Sequence, residues 1–322
     1  MELNLRSKDM DFKERLLFFL LISCILNGTF VIISKKRGDY MEYSPKKMQE
    51  NLTDHQFYFK KNYGQNFIID KNIINKIVQA SNIDSDTIVI EVGPGAGSLT
   101  LGLAHSAKQV QCYEIDQTLQ PILDGNLKSV DNVIVYYEDF LKSNPMEHLK
   151  DQTYSKLYVI GNLPYYITTP IIMKIIEEQL PVDKMIVMVQ KEVGDRFKAT
   201  PGTRDYGSLT VFLNYYYETR KLLDVSRNVF LPKPNVDSIV VEFSRKKELL
   251  PLEDETFFFQ FVRDCFKQKR KNLRNNLKAY DLEQMEISLK QAGYSLQDRA
   301  EKLSLEAFVQ VANEYVRKKE NV

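Results

Sequence analysis

The stretch Thr87-Ile88-Val89-Ile90-Glu91-Val92-Gly93-Pro94-Gly95-Ala96-Gly97 decides how the chain folds. Its first four residues are β-branched, mostly apolar and unalternated, which suits a parallel strand buried on both faces. The run meets an acid and three glycines, and Leu99-Thr100-Leu101-Gly102-Leu103-Ala104 then reads as helix. A strand turning through glycine into a helix lets the backbone approach a ligand closely. Such a glycine turn is a weak signal alone, so the strands that follow carry the argument. Val110-Gln111-Cys112-Tyr113-Glu114 is a second strand, ending in an acid 19 residues after Gly95, where a carboxylate can accept from ribose hydroxyls. Val133-Ile134-Val135-Tyr136-Tyr137 is a third, ending in Glu138-Asp139-Phe140, with Asp139 placed to accept from an adenine amine. Lys156-Leu157-Tyr158-Val159-Ile160 is a fourth and leads into Gly161-Asn162-Leu163-Pro164-Tyr165-Tyr166. Four strand ends carrying polar groups belong on one edge of an open α/β sheet, where such sheets bind ligands.

The last of these motifs has its own chemistry. An exocyclic amine on a base is planar and weakly nucleophilic, because its lone pair is delocalised into the ring. Two acceptors for its hydrogens favour a tetrahedral nitrogen with an available lone pair. The Asn162 side-chain oxygen and the Leu163 carbonyl can supply them, since Pro164 holds its predecessor extended. Tyr165 offers a flat face for an extruded base. The plain alternative is an Asn-Leu-Pro-Tyr turn that only ends a strand; the ordered partners upstream weigh against it.

Composition bounds the rest. A chain of 322 residues can hold one α/β domain and a smaller companion. Its three cysteines, Cys24, Cys112 and Cys265, are scattered and show no disulfide framework or metal spacing. His55, His105 and His148 are equally isolated, so no metal is expected. The formal net charge is only +1, yet Lys267, Lys269, Arg270, Lys271, Arg274 and Lys278 follow one another without an acid. With Leu273 and Leu277 they suggest a helix with one buried edge and a basic face. A solvated face is the usual reading of such a run; contact with RNA phosphates is the alternative.

In these motifs the chain resembles the KsgA-type rRNA adenine N6,N6-dimethyltransferases, which share their fold with the Erm rRNA methyltransferases. The resemblance runs from about Phe59 to Tyr315. It includes Lys60-Lys61-Asn62-Tyr63-Gly64-Gln65-Asn66-Phe67-Ile68, Val189-Gln190-Lys191-Glu192, Tyr206-Gly207-Ser208-Leu209-Thr210, Phe230-Leu231-Pro232-Lys233-Pro234 and Lys269-Arg270-Lys271-Asn272-Leu273-Arg274. It implies a Rossmann-like class I S-adenosylmethionine-dependent methyltransferase domain with a small all-helical C-terminal domain. It implies a cofactor site of Asn66, Ile68, Gly93, Gly95, Glu114, Asp139 and Asn162. Asn162, Leu163 and Tyr165 would handle the target adenine and Phe230 would stack on its other face, although local sequence equally allows a core phenylalanine. Lys60, Lys61, Arg204, Lys267, Lys269, Arg270, Lys271 and Arg274 are the expected RNA contacts. The implied activity is dimethylation of two adjacent adenosines in a hairpin loop near the 3′ end of small-subunit rRNA, within an immature 30S particle, by a cytoplasmic monomer. The rivals are an Erm-type enzyme of large-subunit rRNA and a ribosome-assembly factor whose binding outweighs its catalysis.

Three segments are expected: residues 1–40 as an extension, 41–247 as the methyltransferase domain and 248–322 as the helical RNA-docking domain. Asp254-Glu255-Thr256-Phe257 should start a helix with acids in its first turn, with further helices over 282–292 and 305–316. Leu16 to Ser34 lacks charge but is marginal in length and diluted by Ser23, Asn27, Gly28 and Thr29. The favoured reading is that Met41 is the natural start, with no stable membrane partner.

Overall fold

The computed structural model describes residues 45–55, 57–60 and 63–320, so the expectations for residues 1–40, for Met41 and for Lys61 lie outside the described residues. Strand β1 (Phe67–Ile68) is followed by β2 (Thr87–Val92), β3 (Gln109–Tyr113), β4 (Val133–Tyr136) and β5 (Lys156–Asn162). Beyond them lie β6 (Lys184–Gln190), β7 (Tyr217–Val225), β8 (Phe230–Leu231) and β9 (Ser238–Arg245). Seven strands form one sheet in the order β4-β3-β2-β5-β6-β9-β7, and β1 pairs with β8 apart from it. The first five in that order are parallel, whereas β9 runs antiparallel to both β6 and β7. This is the expected α/β architecture.

Burial follows from the sequence pattern. Strand β2 is buried at every position, as a continuous apolar run at the centre of a sheet requires. At the sheet margin β4 is only part-buried. The chain passes from β2 outward through β3 to β4, then returns to the other side of β2 as β5. That reversal opens a crevice at the carboxyl ends of β2, β3 and β5, the place where doubly wound sheets bind ligands.

The C-terminal helices form where their acids predict. Asp254 caps Glu255–Phe266 by accepting from the Phe257 N–H, and Asp281 caps Leu282–Gln291 by accepting from Glu283 and Gln284. The last helix is Leu305–Glu320. Phe258, Phe261, Val262 and Phe308 merge with Ile171, Phe212 and Val241 in one apolar cluster. The core therefore runs unbroken from the sheet into these helices.

The basic run differs from its expected form. Only Leu273–Asn276 is helical, and Lys267–Lys271 is a series of turns. Asparagines cause the break by satisfying backbone groups a helix would otherwise use. Asn272 Oδ1 accepts from the Asn275 N–H at 3.2 Å, Asn276 Oδ1 accepts from the Gln268 N–H at 3.1 Å, and Asn276 Nδ2 donates to the Cys265 carbonyl at 2.7 Å. Leu273 and Leu277 are buried as the pattern requires. Among the described residues no helix is long and apolar enough to cross a membrane, and no group of three or more His, Cys, Asp or Glu side chains could hold a metal ion.

Candidate active site

The ends of β2, β3 and β5, the loop after β4 and the segment before β1 enclose a cavity of about 200 Å³. The glycine turn forms its floor. Gly95 has φ +59°, and a Cβ there would lie 2.7 Å from the Phe67 ring, so only glycine lets strand β1 close over the turn. The Gly95 N–H donates to Glu114 Oε2 at 3.3 Å, and the Asp116 N–H donates to Glu114 Oε1 at 2.8 Å. Burial pushes the Glu114 carboxyl up to about 7, against the pull of those backbone donors. Glu91, behind the turn and 1% exposed, is likewise raised to about 7 by burial; it accepts from the Cys112 thiol at 3.6 Å.

Across the cavity, Asp139 follows β4 and its Oδ1 accepts from the Leu141 N–H at 3.0 Å. Asn162 ends β5, and its Nδ2 donates to the Asn66 carbonyl at 2.7 Å. That bond fixes the amide plane and leaves Oδ1 as the acceptor. Leu163 lines the cavity with its side chain buried. The Tyr165 hydroxyl lies 3.1 Å from Ser238 Oγ, which holds its ring at the cavity wall, and burial raises its pKa. Asn66, Ile68, Gly93, Gly95, Glu114, Asp139, Asn162, Leu163 and Tyr165 thus all line one cavity.

Two expected residues stand elsewhere. Phe230 does not line the cavity: pairing of β8 with β1 sets it opposite Ile68, and it is 3% exposed within the apolar cluster of Ile68, Ile74 and Val225. Lys60 does not offer a free ammonium: it pairs with Asp116 Oδ1 at 2.7 Å and donates to Thr118 Oγ1 at 3.1 Å. The other described cations, Lys267, Lys269, Arg270, Lys271, Arg274 and Arg204, are exposed. Lys269 donates to the Arg204 carbonyl, which brings the 197–206 loop and the basic run together.

Two further residues line the cavity, Ile115 and Glu91, and a third, Asp116, bonds two that do. Ile115 is a large apolar side chain, 45% exposed on the cavity rim; its position directly after a strand-ending acid was the available signal. Glu91 stood in the quoted motif, but a single acid before glycines does not reveal its burial. Asp116 gave no sign, because its partners Lys60 and Gln65 are remote in sequence.

Comparison with known proteins agrees with this geometry. The family model described as ribosomal RNA adenine dimethylase matches residues 56–317. Ribosomal RNA small subunit methyltransferase A of Staphylococcus aureus is 45% identical over 280 residues, covering 84% of this chain and 94% of the relative. A dimethyladenosine transferase from Plasmodium falciparum superposes with a TM-score of 0.63 at 25% identity, over 79% of this chain and 98% of its own. The 23S rRNA methyltransferase ErmE superposes at 0.58 with 28% identity, over 78% and 100%. The small-subunit relative is much the more similar in sequence, so the Erm enzymes stand as a related branch. A cavity at the sheet switch point, built from the motifs that the family match spans, completes the assignment: the chain belongs to the ribosomal RNA adenine dimethylase family and is an rRNA methyltransferase.

Proposed function

We propose that the protein dimethylates N6 of two adjacent adenosines in a hairpin loop near the 3′ end of small-subunit rRNA, acting in the cytoplasm on an immature 30S particle. The observation that carries this reading is the Asn162 amide, anchored on Asn66 inside the cavity that Glu114 and Asp139 also line. The cavity suits S-adenosylmethionine: Gly95 lets β1 close over the glycine turn at its edge, Glu114 and Asp139 offer acceptors for ribose and adenine donors, and Ile115 offers an apolar face. Bound there, S-adenosylmethionine supplies an electrophilic methyl group. The protein's part is positioning. Asn162 Oδ1 and the Leu163 carbonyl accept the two N6 hydrogens, which turns the nitrogen lone pair toward the methyl donor. Tyr165 stacks on the base, extruded at lower cost from a loop than from a duplex. After transfer the proton leaves to water. In the second round one hydrogen remains, so only one of the two acceptors is used and stacking holds the base.

The exposed cations of the 267–274 run, with Arg204, dock the RNA through phosphates. The test offers the full-length protein, with labelled S-adenosylmethionine, undermethylated 30S particles and protein-free large-subunit rRNA side by side, with the modified base identified by mass. Dimethyladenosine in the 30S RNA alone is the expected result. Label in the large-subunit rRNA would move the assignment to the Erm branch; label in neither would favour an assembly factor.

A further inference from the structure

A hydrogen-bonded chain runs along one side of the cavity and joins its two halves. Asp116 is buried two residues beyond Glu114. Its N–H donates to Glu114 Oε1 at 2.8 Å. Its carboxylate receives Lys60 Nζ at 2.7 Å, Gln65 Nε2 at 2.8 Å and Thr118 Oγ1 at 2.6 Å. Gln65 Oε1 accepts from the Lys60 N–H at 2.8 Å, so Lys60 and Gln65 are tied to each other as well as to Asp116. The next residue, Asn66, donates its own Nδ2 to the Gly64 carbonyl at 3.0 Å and presents its carbonyl to Asn162 Nδ2 at 2.7 Å. The path from Glu114 to Asn162 therefore passes through a segment that belongs to neither β3 nor β5.

Burial opposes ionisation of Asp116, but the hydrogen bonds from Lys60, Thr118 and Gln65 outweigh it and hold the carboxyl below the usual range. An exposed ion pair would contribute little. This one is charge-assisted, has a fully buried acid, and gathers side-chain donors from two separate segments.

We infer that Asp116 is a positioning residue, pinning Lys60 and the 63–66 segment beside the cavity so that the Asn66 carbonyl orients the Asn162 amide and the cofactor half is coupled to the amine half. The inference rests on the reading that Asn162 handles the target amine. A residue that only held the fold together would lower the melting temperature without changing methyl transfer by properly folded protein.

The test uses full-length Asp116→Asn, Asp116→Ala, Lys60→Met and Gln65→Met variants. Each is measured for thermal melting, S-adenosylmethionine binding by calorimetry, and single-turnover transfer to undermethylated 30S particles at saturating cofactor. Asp116→Asn should slow transfer about 10- to 100-fold, the scale of a small misplacement at a reacting group. Combined with Asn162→Ala, Asp116→Asn should slow transfer by less than about threefold further, because both act through one amide. Should Asp116→Ala fail to fold, Lys60→Met and Gln65→Met carry the same expectation at several-fold. Transfer within about twofold of wild type in folded Asp116→Asn would overturn the inference, as would losses that multiply in full in the double variant. Wild-type protein that transfers no methyl to adenine would overturn the adenine reading and this inference together.

Discussion

Gly95 and Glu114 meet at one backbone N–H, and each makes a measurable claim. At Gly95 any side chain would press on the Phe67 ring and adopt φ +59°. Gly95→Ala should therefore cost about 1–3 kcal/mol by chemical denaturation, the usual scale of overpacking, and should weaken S-adenosylmethionine binding in calorimetry. Glu114 predicts a pH dependence. Its carboxyl is raised by burial to about 7, and only the ionised form accepts from two cofactor hydroxyls. Lowering the pH protonates it, so affinity should fall as pH drops through 7, about tenfold from pH 8 to pH 6 for a single such group. Glu114→Gln should bind weakly at both pH values and show a flattened profile; an unflattened profile would assign the titration to another group. These two residues were legible in the sequence because strand ends and glycine spacing place them. The Lys60–Asp116 pair was not, since its partners lie 56 positions apart and neither motif names the other. The packing of Phe230 was not legible either, because the local loop says nothing about the pairing of β8 with β1.

Among the elements, the strands were readable and the basic run was read only in part. The runs now seen as β2, β3, β4 and β5 are apolar stretches that end in polar groups, and that pattern survives any tertiary context. The stretch from Lys267 to Lys278 carries a helical spacing of Leu273 and Leu277, but Asn276 holds the backbone at Gln268 and Cys265 while Asn272 accepts from the Asn275 N–H. Such side-chain competition depends on neighbours that a local pattern does not contain. The consequence is a compact basic turn beside Arg204 in place of a long face. Reversing two exposed charges, in Arg270→Glu with Lys271→Glu, should leave the melting temperature within about 2 °C because surface changes are nearly neutral. The plot of log affinity for undermethylated 30S particles against log salt should become shallower by roughly two units. An unchanged slope would remove this turn from the RNA interface.

For the whole molecule, the shared core is the decisive feature. Phe258, on the first C-terminal helix, is fully buried and packs on Phe212 at 6.2 Å and Tyr215 at 5.3 Å between ring centroids. Phe258→Ala should cost about 3–5 kcal/mol, and residues on the sheet and on the helices should lose structure in one transition by hydrogen exchange. Two separate transitions would mean that the helical part stands apart energetically. The neutral total charge, +1, with cations gathered at one turn suits recognition of a shaped particle over attraction to any polyanion. Such recognition matters only if the cavity then performs the chemistry, which the proposed function assigns to the Asn162 amide. The most direct measurement is single-turnover methyl transfer to undermethylated 30S particles by wild type and Asn162→Ala at saturating S-adenosylmethionine, with particle binding measured in parallel. The expected result is transfer slowed at least about 100-fold, the scale of removing one transition-state hydrogen bond, with particle binding unchanged. Transfer within about threefold of wild type would contradict the assignment of Asn162 to the target amine.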